Sequence, residues 1–161
     1  LAPPLEKGGY VNYGQALRME PVAASPEDEP KIRQLLSSCA LPHEDITPEH
    51  LHHYWVLKEK EQLVGVIGLE VLQPFALLRS LAIDPLSRNQ GLGSQLTEQA
   101  EKYADSLKIE ALYLLTTTAE GFFAKRGFQK ISREDTPDKI KGTAEFRSMC
   151  PLTAVCMVKF I

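Results

Sequence analysis

Cysteine is scarce in this chain, and basic residues are not in excess. Three cysteines occur among 161 residues at irregular spacing. This count argues against a disulfide framework and fits reduced thiols in a cytosolic protein. The formal net charge of −3 argues against a nucleic-acid-binding surface. We therefore expect a cytoplasmic protein with no nucleic-acid partner.

Long apolar runs, repeats and low-complexity tracts are missing as well. Because no run approaches the roughly 18 apolar residues that a membrane span needs, we expect no membrane partner. The opening LAPPLEKGGYVNYG does not follow the pattern of a signal peptide, and we expect residues 1–14 to form a loose N-terminal segment. Residues 15–161 suffice for one globular domain with its own core.

Strand and helix patterns alternate along the domain. Apolar alternation and flanking turn residues predict strands at 16–24, 53–59, 62–72, 75–83, 111–118, 128–132 and 153–160. Apolar spacings of three and four predict helices at 25–39, 91–107 and 119–127, with further helical turns at 45–51 and within 136–149. Ser25 is the expected N-cap of the first helix, with Pro26 at its first position. This order predicts a mixed α/β sheet.

The stretch SRNQGLGSQL, residues 87–96, stands between a strand and a helix. The first amides of a helix have no partners within it, and the helix dipole adds partial positive charge there. Gly91 and Gly93 would let a bulky anion approach the backbone. A Walker A loop would need Lys after its second glycine, and a dinucleotide fingerprint would need a small residue in place of Leu96. The alternative is a plain helix start.

Two landmarks resemble a known family. Arg88-x-x-Gly91-x-Gly93 after SLAIDP closely resembles the acetyl-coenzyme A loop of the GNAT superfamily of N-acetyltransferases. TTTAEGFFAKRGF resembles the family segment Asn-x-x-Ala-x-x-x-Tyr-x-x-x-Gly-Phe. The segments GLEVL, LLRSLAI and TAEFRSMCPLTAVCM look like the arsenic-resistance-operon members, which are grouped with amino-acid acetyltransferases. The resemblance implies a single-domain fold whose mixed, mostly antiparallel sheet is splayed at its two central strands, with helices on both faces.

The resemblance also implies acetyl-coenzyme A as the acetyl donor, without a metal. Amides of the loop would bind the pyrophosphate, and the strand before the loop would pair with pantetheine, with Ala82 placing the thioester carbonyl. The implied cofactor-binding residues are Leu81, Ala82, Ile83, Arg88, Asn89, Gln90, Gly91, Leu92, Gly93, Ser94, Thr116, Phe122 and Phe123. Phe123 stands where many relatives carry the tyrosine that protonates the leaving thiolate, and Thr116 replaces a common asparagine. Since a phenyl ring cannot donate a proton, either water or another group supplies it, or coenzyme A leaves as the thiolate.

Two charged residues are candidates for the acceptor side. Glu70 stands where relatives often place a carboxylate near the amine, which makes it the candidate general base; the alternative is a solvated residue at a strand end. An α-amino group costs only about 1 kcal/mol to deprotonate at pH 7, so a water relay could suffice. Arg79 lies in the apolar strand ALLRSLAI, where an unpaired charge is costly. It either pairs internally, for example with Glu70, or grips a substrate carboxylate.

These features together predict an N-acetyltransferase that moves acetyl to the primary amine of a small molecule, an amino acid or an analogue, by direct attack in a ternary complex. The alternative is a catalytically silent coenzyme A-binding module, which the missing tyrosine favours. Four histidines, His43, His50, His52 and His53, are expected at the surface, because no HExxH motif or nearby cysteine supports a metal site. A homodimer that pairs through the last strand is left open.

Overall fold

A computed structural model describes residues 10–13 and 16–161, with side chains from Met19 onward. Its strands are β1 (Tyr10–Tyr13), β2 (Ala16–Met19), β3 (Val22–Ala23), β4 (Tyr54–Glu59), β5 (Gln62–Leu72), β6 (Phe75–Ile83), β7 (Ala111–Thr116), β8 (Gln129–Lys130) and β9 (Val155–Phe160). Its α-helices are α1 (Glu29–Ser38), α2 (Leu92–Ser106), α3 (Glu120–Lys125) and α4 (Asp138–Lys141). Short 3₁₀ turns occur at Pro26–Asp28, His50–His53, Pro85–Ser87 and Arg133–Asp135, and a π-helical turn at Glu145–Met149.

Seven strands form one sheet in the order β3–β4–β5–β6–β7–β9–β8. The ladders β3–β4, β4–β5, β7–β9 and β8–β9 are antiparallel, whereas β6 and β7 are parallel. The parallel ladder joins Phe75–Leu77 to Ala111–Tyr113 and goes no further along β6. A mostly antiparallel sheet with a short parallel ladder at its centre agrees with the expected fold class.

The chain divides into two compact units, and strands β5 and β6 each contribute to both. Unit 1 comprises Leu1–Gly68 and Ser80–Glu101. Its core joins apolar residues of α1, β4 and β5, including Ile32, Leu36, Tyr54 and Val66. Residues 63–69 of β5 are buried without interruption, which is the pattern of a strand covered on both faces.

The start of α1 is held by a reciprocal pair. The Ser25 amide donates to the Asp28 carboxylate at 2.8 Å, and the Asp28 amide donates to the Ser25 carbonyl at 2.9 Å. Lys58 on β4 donates to the same carboxylate at 2.8 Å. Ser25, with Pro26 in the first position, is the N-cap of the 3₁₀ turn that leads into α1, whereas the N-cap of α1 itself is Asp28.

Unit 2 comprises Leu69–Arg79 and Lys102–Ile161. In its core, side chains of β6, β7 and β9 pack with residues of α4 and of the π-helical turn; they are Leu77, Ala111, Tyr113, Ile140, Phe146, Cys156 and Val158. Phe75 and Tyr113 meet edge to face at 5.8 Å between ring centres. Aromatic and branched residues therefore hold the parallel ladder from one side.

Most elements lie where the sequence predicted them, with two differences. The strand predicted at 16–24 is two strands, β2 and β3, with a break between them. Within the predicted loose segment 1–14, residues 10–13 form β1, which pairs with β2; residues 1–9 and 14 lie outside the described residues. The aromatic and β-branched residues of YVNY favour a strand. Among the described residues, no helix is both long and apolar enough to cross a bilayer.

Candidate functional site

The loop after β6 is anchored at its start by Asp84. The Asp84 amide donates to the Val64 carbonyl on β5 at 2.8 Å, which extends the contact between the strands to the last residue before the loop. The Asp84 carboxylate then accepts from the Leu86 amide at 2.9 Å and caps the turn Pro85–Ser87. This turn, which the sequence analysis did not predict, fixes where the loop leaves the sheet.

The loop itself is built from two left-handed residues followed by a helix. Asn89 has φ +65° and Gly91 φ +78°. Helix α2 begins at Leu92, and its first hydrogen bond runs from the Gln95 amide to the Gly91 carbonyl at 3.1 Å. The amides of residues 92–94 therefore precede the internal ladder of a 15-residue helix and point out of its N-terminal end.

Space around Gly91 suits a bulky anion. A Cβ atom built at Gly91 would meet nothing within 4 Å, and the residue is exposed. The amides at the helix start and the dipole of α2 supply donors and partial positive charge at this point. A site for a bulky anion needs these properties, and the family resemblance implies that the anion is the pyrophosphate of acetyl-coenzyme A.

Arg88 lies beside the strand that leads into the loop. Its Nε donates to the Ile83 carbonyl at 3.1 Å, and its Nη2 lies 3.6 Å from the Cys39 sulfur. The side chain is exposed, so its charge stands at the rim of the loop as predicted. Leu81, Ala82 and Ile83 directly precede this loop on β6, so unit 1 brings the predicted loop and strand residues together.

Unit 2 holds the second landmark. Thr116 ends β7, and its hydroxyl accepts from the Ala119 amide at 2.9 Å, which starts the turn into α3. Phe123 is 4% exposed, and its ring meets those of Phe122 and Phe128 edge on, at 5.0 and 5.4 Å. Within this unit, Phe123 is therefore a buried packing residue.

A buried charge cluster occupies another part of unit 2. Arg79, whose side chain is 1% exposed, donates through Nη1 to Glu70 at 3.3 Å and through Nε to Glu145 at 3.0 Å. The Glu145 side chain is 5% exposed and that of Glu70 is 20% exposed. The structure thus shows the internal pairing with Glu70 that the sequence left open, and adds Glu145. One guanidinium is thus shared between two carboxylates.

Cys150 belongs to the same cluster and is not poised for nucleophilic attack. Its sulfur lies 3.6 Å from a Glu145 carboxylate oxygen. Burial and this neighbouring carboxylate raise the pKa of the Cys150 thiol to about 12. The thiol is therefore protonated at neutral pH, which agrees with a reaction that forms no acyl-enzyme.

The histidines lie in and before the turn that precedes β4. The Nδ1 atom of His50 accepts from the Thr47 amide at 3.0 Å, and burial together with the neighbouring His52 and His50 lowers the pKa of His53. Among the described residues, no group of three or more His, Cys, Asp or Glu side chains is arranged to hold a metal ion.

Two features escaped the sequence analysis. Glu145 lies in the segment TAEFRSMCPLTAVCM without a predicted role, although an arginine in an apolar strand implies a nearby carboxylate. Ser80 has φ +63° inside β6, so the regular strand conformation expected for residues 75–83 is interrupted there. Its hydroxyl lies 2.8 Å from the Tyr54 hydroxyl. No local sequence pattern signals this contact.

A family model settles the assignment. The model described as the acetyltransferase (GNAT) domain matches residues 50–130. The chain belongs to this family. The matched residues run from the turn before β4 to the end of β8, so they include both landmarks. The family and the fold predicted from the sequence are thereby confirmed.

Relatives of this GNAT domain agree with the assignment. An uncharacterized N-acetyltransferase of Chlorobaculum tepidum is 32% identical over 93 residues, 57% of this chain and 59% of its own length. An amino-acid acetyltransferase of Pasteurella multocida is 39% identical over 91 residues, 55% of this chain and 21% of its own. The chain thus spans less than two thirds of either relative.

A solved structure shares the fold. N-acetylglutamate synthase from Neisseria gonorrhoeae, complexed with coenzyme A and N-acetyl-glutamate, superposes with a TM-score of 0.77 at 20% identity. The match covers 89% of this chain and 35% of that one. At this identity the likeness establishes the architecture.

Proposed function

We propose that this GNAT domain transfers acetyl from acetyl-coenzyme A to the primary amine of a small molecule, an amino acid or an amino-acid analogue. The observation that carries the proposal is the loop after β6. Gly91 is left-handed and open, and it leads straight into the N-terminus of a 15-residue helix. Charge-assisted hydrogen bonds from such amides are worth about 1.5–3 kcal/mol each, which makes the loop the expected anchor for the donor.

The proposed acceptor follows from the relatives and from the charge cluster of Glu70, Arg79 and Glu145. Curated relatives at 36–39% identity over their matched segments are named amino-acid acetyltransferases. The carboxylates of the cluster offer acceptor oxygens to an ammonium group. Glu70 is its most exposed member, so an amine would meet that carboxylate first.

The chemistry needs few protein groups. The amine nitrogen attacks the thioester carbonyl carbon, a C–N bond forms, and the C–S bond breaks. Glu70, directly or through water, takes the proton that the amine loses. Because Phe123 cannot donate a proton, water protonates the departing thiolate. Holding both substrates in one complex supplies much of the rate enhancement.

The experiment that tests this function is release of free thiol from acetyl-coenzyme A across a panel of amines. Amino acids and their analogues come first, followed by polyamines and lysine-type amines. We expect turnover with an α-amino compound. A chain whose melting temperature rises with coenzyme A while no amine is acetylated would instead be a binding module, and the enzyme proposal would be wrong.

The role of Glu70 is tested separately with a matched control. Glu70→Gln keeps the size of the side chain and removes its basicity, so we expect a fall in kcat of about 10²-fold, typical of losing a general base. Glu110→Gln changes an exposed glutamate just before β7 and should leave kcat unchanged. Equal activity of both variants would rule Glu70 out as the base.

A further inference from the structure

Ser80 has an unusual backbone for its position. Five non-glycine residues in the described part of the chain have positive φ, namely Ala40, Lys60, Ser80, Asn89 and Lys108. The other four lie in turns or loops, whereas Ser80 lies inside strand β6. It is also buried, at 8% exposure. A residue with a Cβ atom holds this conformation only when its surroundings impose it.

Tyr54 supplies the contact that holds Ser80. Its hydroxyl lies 2.8 Å from the Ser80 hydroxyl, and its side chain is 1% exposed. Tyr54 is on β4 and Ser80 on β6, so the tyrosine reaches across the intervening strand β5. At about 4.8 Å between neighbouring strands, this path is nearly 10 Å long. A tyrosine covers it only by lying flat over β5.

Gly68 makes this path available. It is the cross-strand partner of Tyr54, and a Cβ atom built on it would lie 2.2 Å from two ring carbons of that tyrosine. No other residue type fits under the ring. Tyr54, Gly68 and Ser80, here called the Tyr54 bridge, therefore form one arrangement: the glycine leaves room for the ring, and the ring places its hydroxyl beside that of Ser80.

The Tyr54 bridge ends where the predicted cofactor strand begins. Ser80 directly precedes Leu81, Ala82 and Ile83. A left-handed residue turns the peptide that follows it, and so sets the direction of the next amide and carbonyl groups. Glycine would adopt this conformation freely and would also leave it freely. A serine whose hydroxyl is hydrogen-bonded to a tyrosine adopts the same left-handed conformation and leaves it less readily.

We propose that the Tyr54 bridge positions the peptide groups of residues 81–83 for the pantetheine arm of acetyl-coenzyme A. Tyr54, Gly68 and Ser80 are positioning residues, since they act through the backbone of β6. This inference rests on the proposed function, because it assumes that β6 binds the donor. The side chains of Tyr54 and Ser80 would thereby set the direction in which the amide and carbonyl groups of residues 81–83 point.

The test compares three variants by calorimetry with coenzyme A and by steady-state kinetics. Tyr54→Phe and Ser80→Ala each remove one hydroxyl of the pair, and we expect each to weaken coenzyme A binding by about five- to tenfold, the effect of one lost hydrogen bond. Ser80→Gly removes the same hydroxyl but readily adopts positive φ, so its affinity should lie closer to that of the unaltered chain. The KM of the amine should stay unchanged in all three.

Comparing melting temperature with affinity separates positioning from plain stability. A merely structural hydrogen bond would lower the melting temperature of Tyr54→Phe and Ser80→Ala while the folded variants bind coenzyme A as tightly as the unaltered chain. Tyr113→Phe, which removes the hydroxyl of another buried tyrosine, is the control and should leave affinity unchanged.

Two results would overturn this inference and leave the proposed function intact. One is Ser80→Gly binding coenzyme A no better than Ser80→Ala, and the other is Tyr54→Phe binding as tightly as the unaltered chain. If Tyr54→Phe fails to fold, the comparison of Ser80→Gly with Ser80→Ala still tests the inference. An unaltered chain that does not bind coenzyme A would instead refute the proposed function, and the inference would fall with it.

Discussion

Replacing Gly91 by glutamate should block donor binding while leaving the fold intact. The open space around Gly91 means that the new side chain meets no protein atom near its Cβ. At φ +78° any residue with a Cβ atom costs about 1–2 kcal/mol. This backbone strain is present with and without ligand, so it lowers the free energy of unfolding but leaves the affinity for coenzyme A unchanged.

The effect on affinity comes from charge. With a separation of about 6 Å and an effective dielectric constant of about 40, Coulomb's law gives about 1.4 kcal/mol for each pair of unit charges. Two phosphate charges double this value to about 2.8 kcal/mol, which corresponds to roughly a hundredfold loss of affinity. Screening by salt reduces the repulsion, so we expect a loss between ten- and a hundredfold at low ionic strength.

Gly91→Ala is the matched control, since it carries the same backbone strain without the charge. Both variants should melt about 2–8 °C below the unaltered chain, from about 2–4 °C for each kcal/mol of strain. Calorimetry with coenzyme A should show Gly91→Ala within about threefold of that chain and Gly91→Glu far weaker, with a gap that narrows as salt is added. If the two variants bind equally well, the pyrophosphate does not lie at this loop and the assignment of the donor site is wrong.

Four further predictions concern other residues. Phe123→Tyr should keep turnover within about fivefold or raise it if water already protonates the thiolate; complete loss in a folded variant would show that the ring packs where a hydroxyl cannot fit. Arg79→Lys should lower the melting temperature, because one ammonium group cannot reproduce the guanidinium's hydrogen bonds to both Glu70 and Glu145. If the melting temperature is unchanged and the KM of the acceptor rises about tenfold, Arg79 instead binds a substrate carboxylate. Burial alone would raise the pKa of Asp28, but hydrogen bonds from its lysine and serine partners outweigh burial and lower it. The Asp28 carboxylate therefore stabilises the fold above about pH 4, and this stabilisation is lost as pH falls through its folded-state pKa. Asp28→Asn should lower the free energy of unfolding by about 1 kcal/mol at pH 7, measured by chemical denaturation, and by less in acid. A loss of stability that grows in acid would contradict this prediction. Cys150→Ala should retain turnover, and a folded variant that loses turnover would indicate a covalent role for this thiol. Iodoacetamide at pH 8 should label Cys39 before Cys150, because the pKa of about 12 keeps the Cys150 thiol protonated.

Short-range patterns sufficed to predict most strands and helices and the loop after β6. The hairpin of β4 and β5 follows from two apolar runs separated by two residues, and α2 from apolar residues spaced by three and four. Gly91 just before a helix start is a local signal too, because helix ends leave unpaired amides whatever the rest of the fold does. These features depend on neighbours in the chain, so a linear sequence displays them.

The contacts that refine the site depend instead on strands and turns that are distant in the chain. Arg79 required a counter-charge, and its sequence context suggested Glu70, but only folding brought Glu145 from the π-helical turn to within 3.0 Å. Likewise, Ser80 reads as an ordinary strand residue until β4, β5 and β6 lie side by side and Tyr54 crosses Gly68 to reach it. Side-chain reach across a sheet is set by strand order and register, which are long-range properties that packing of the whole core decides.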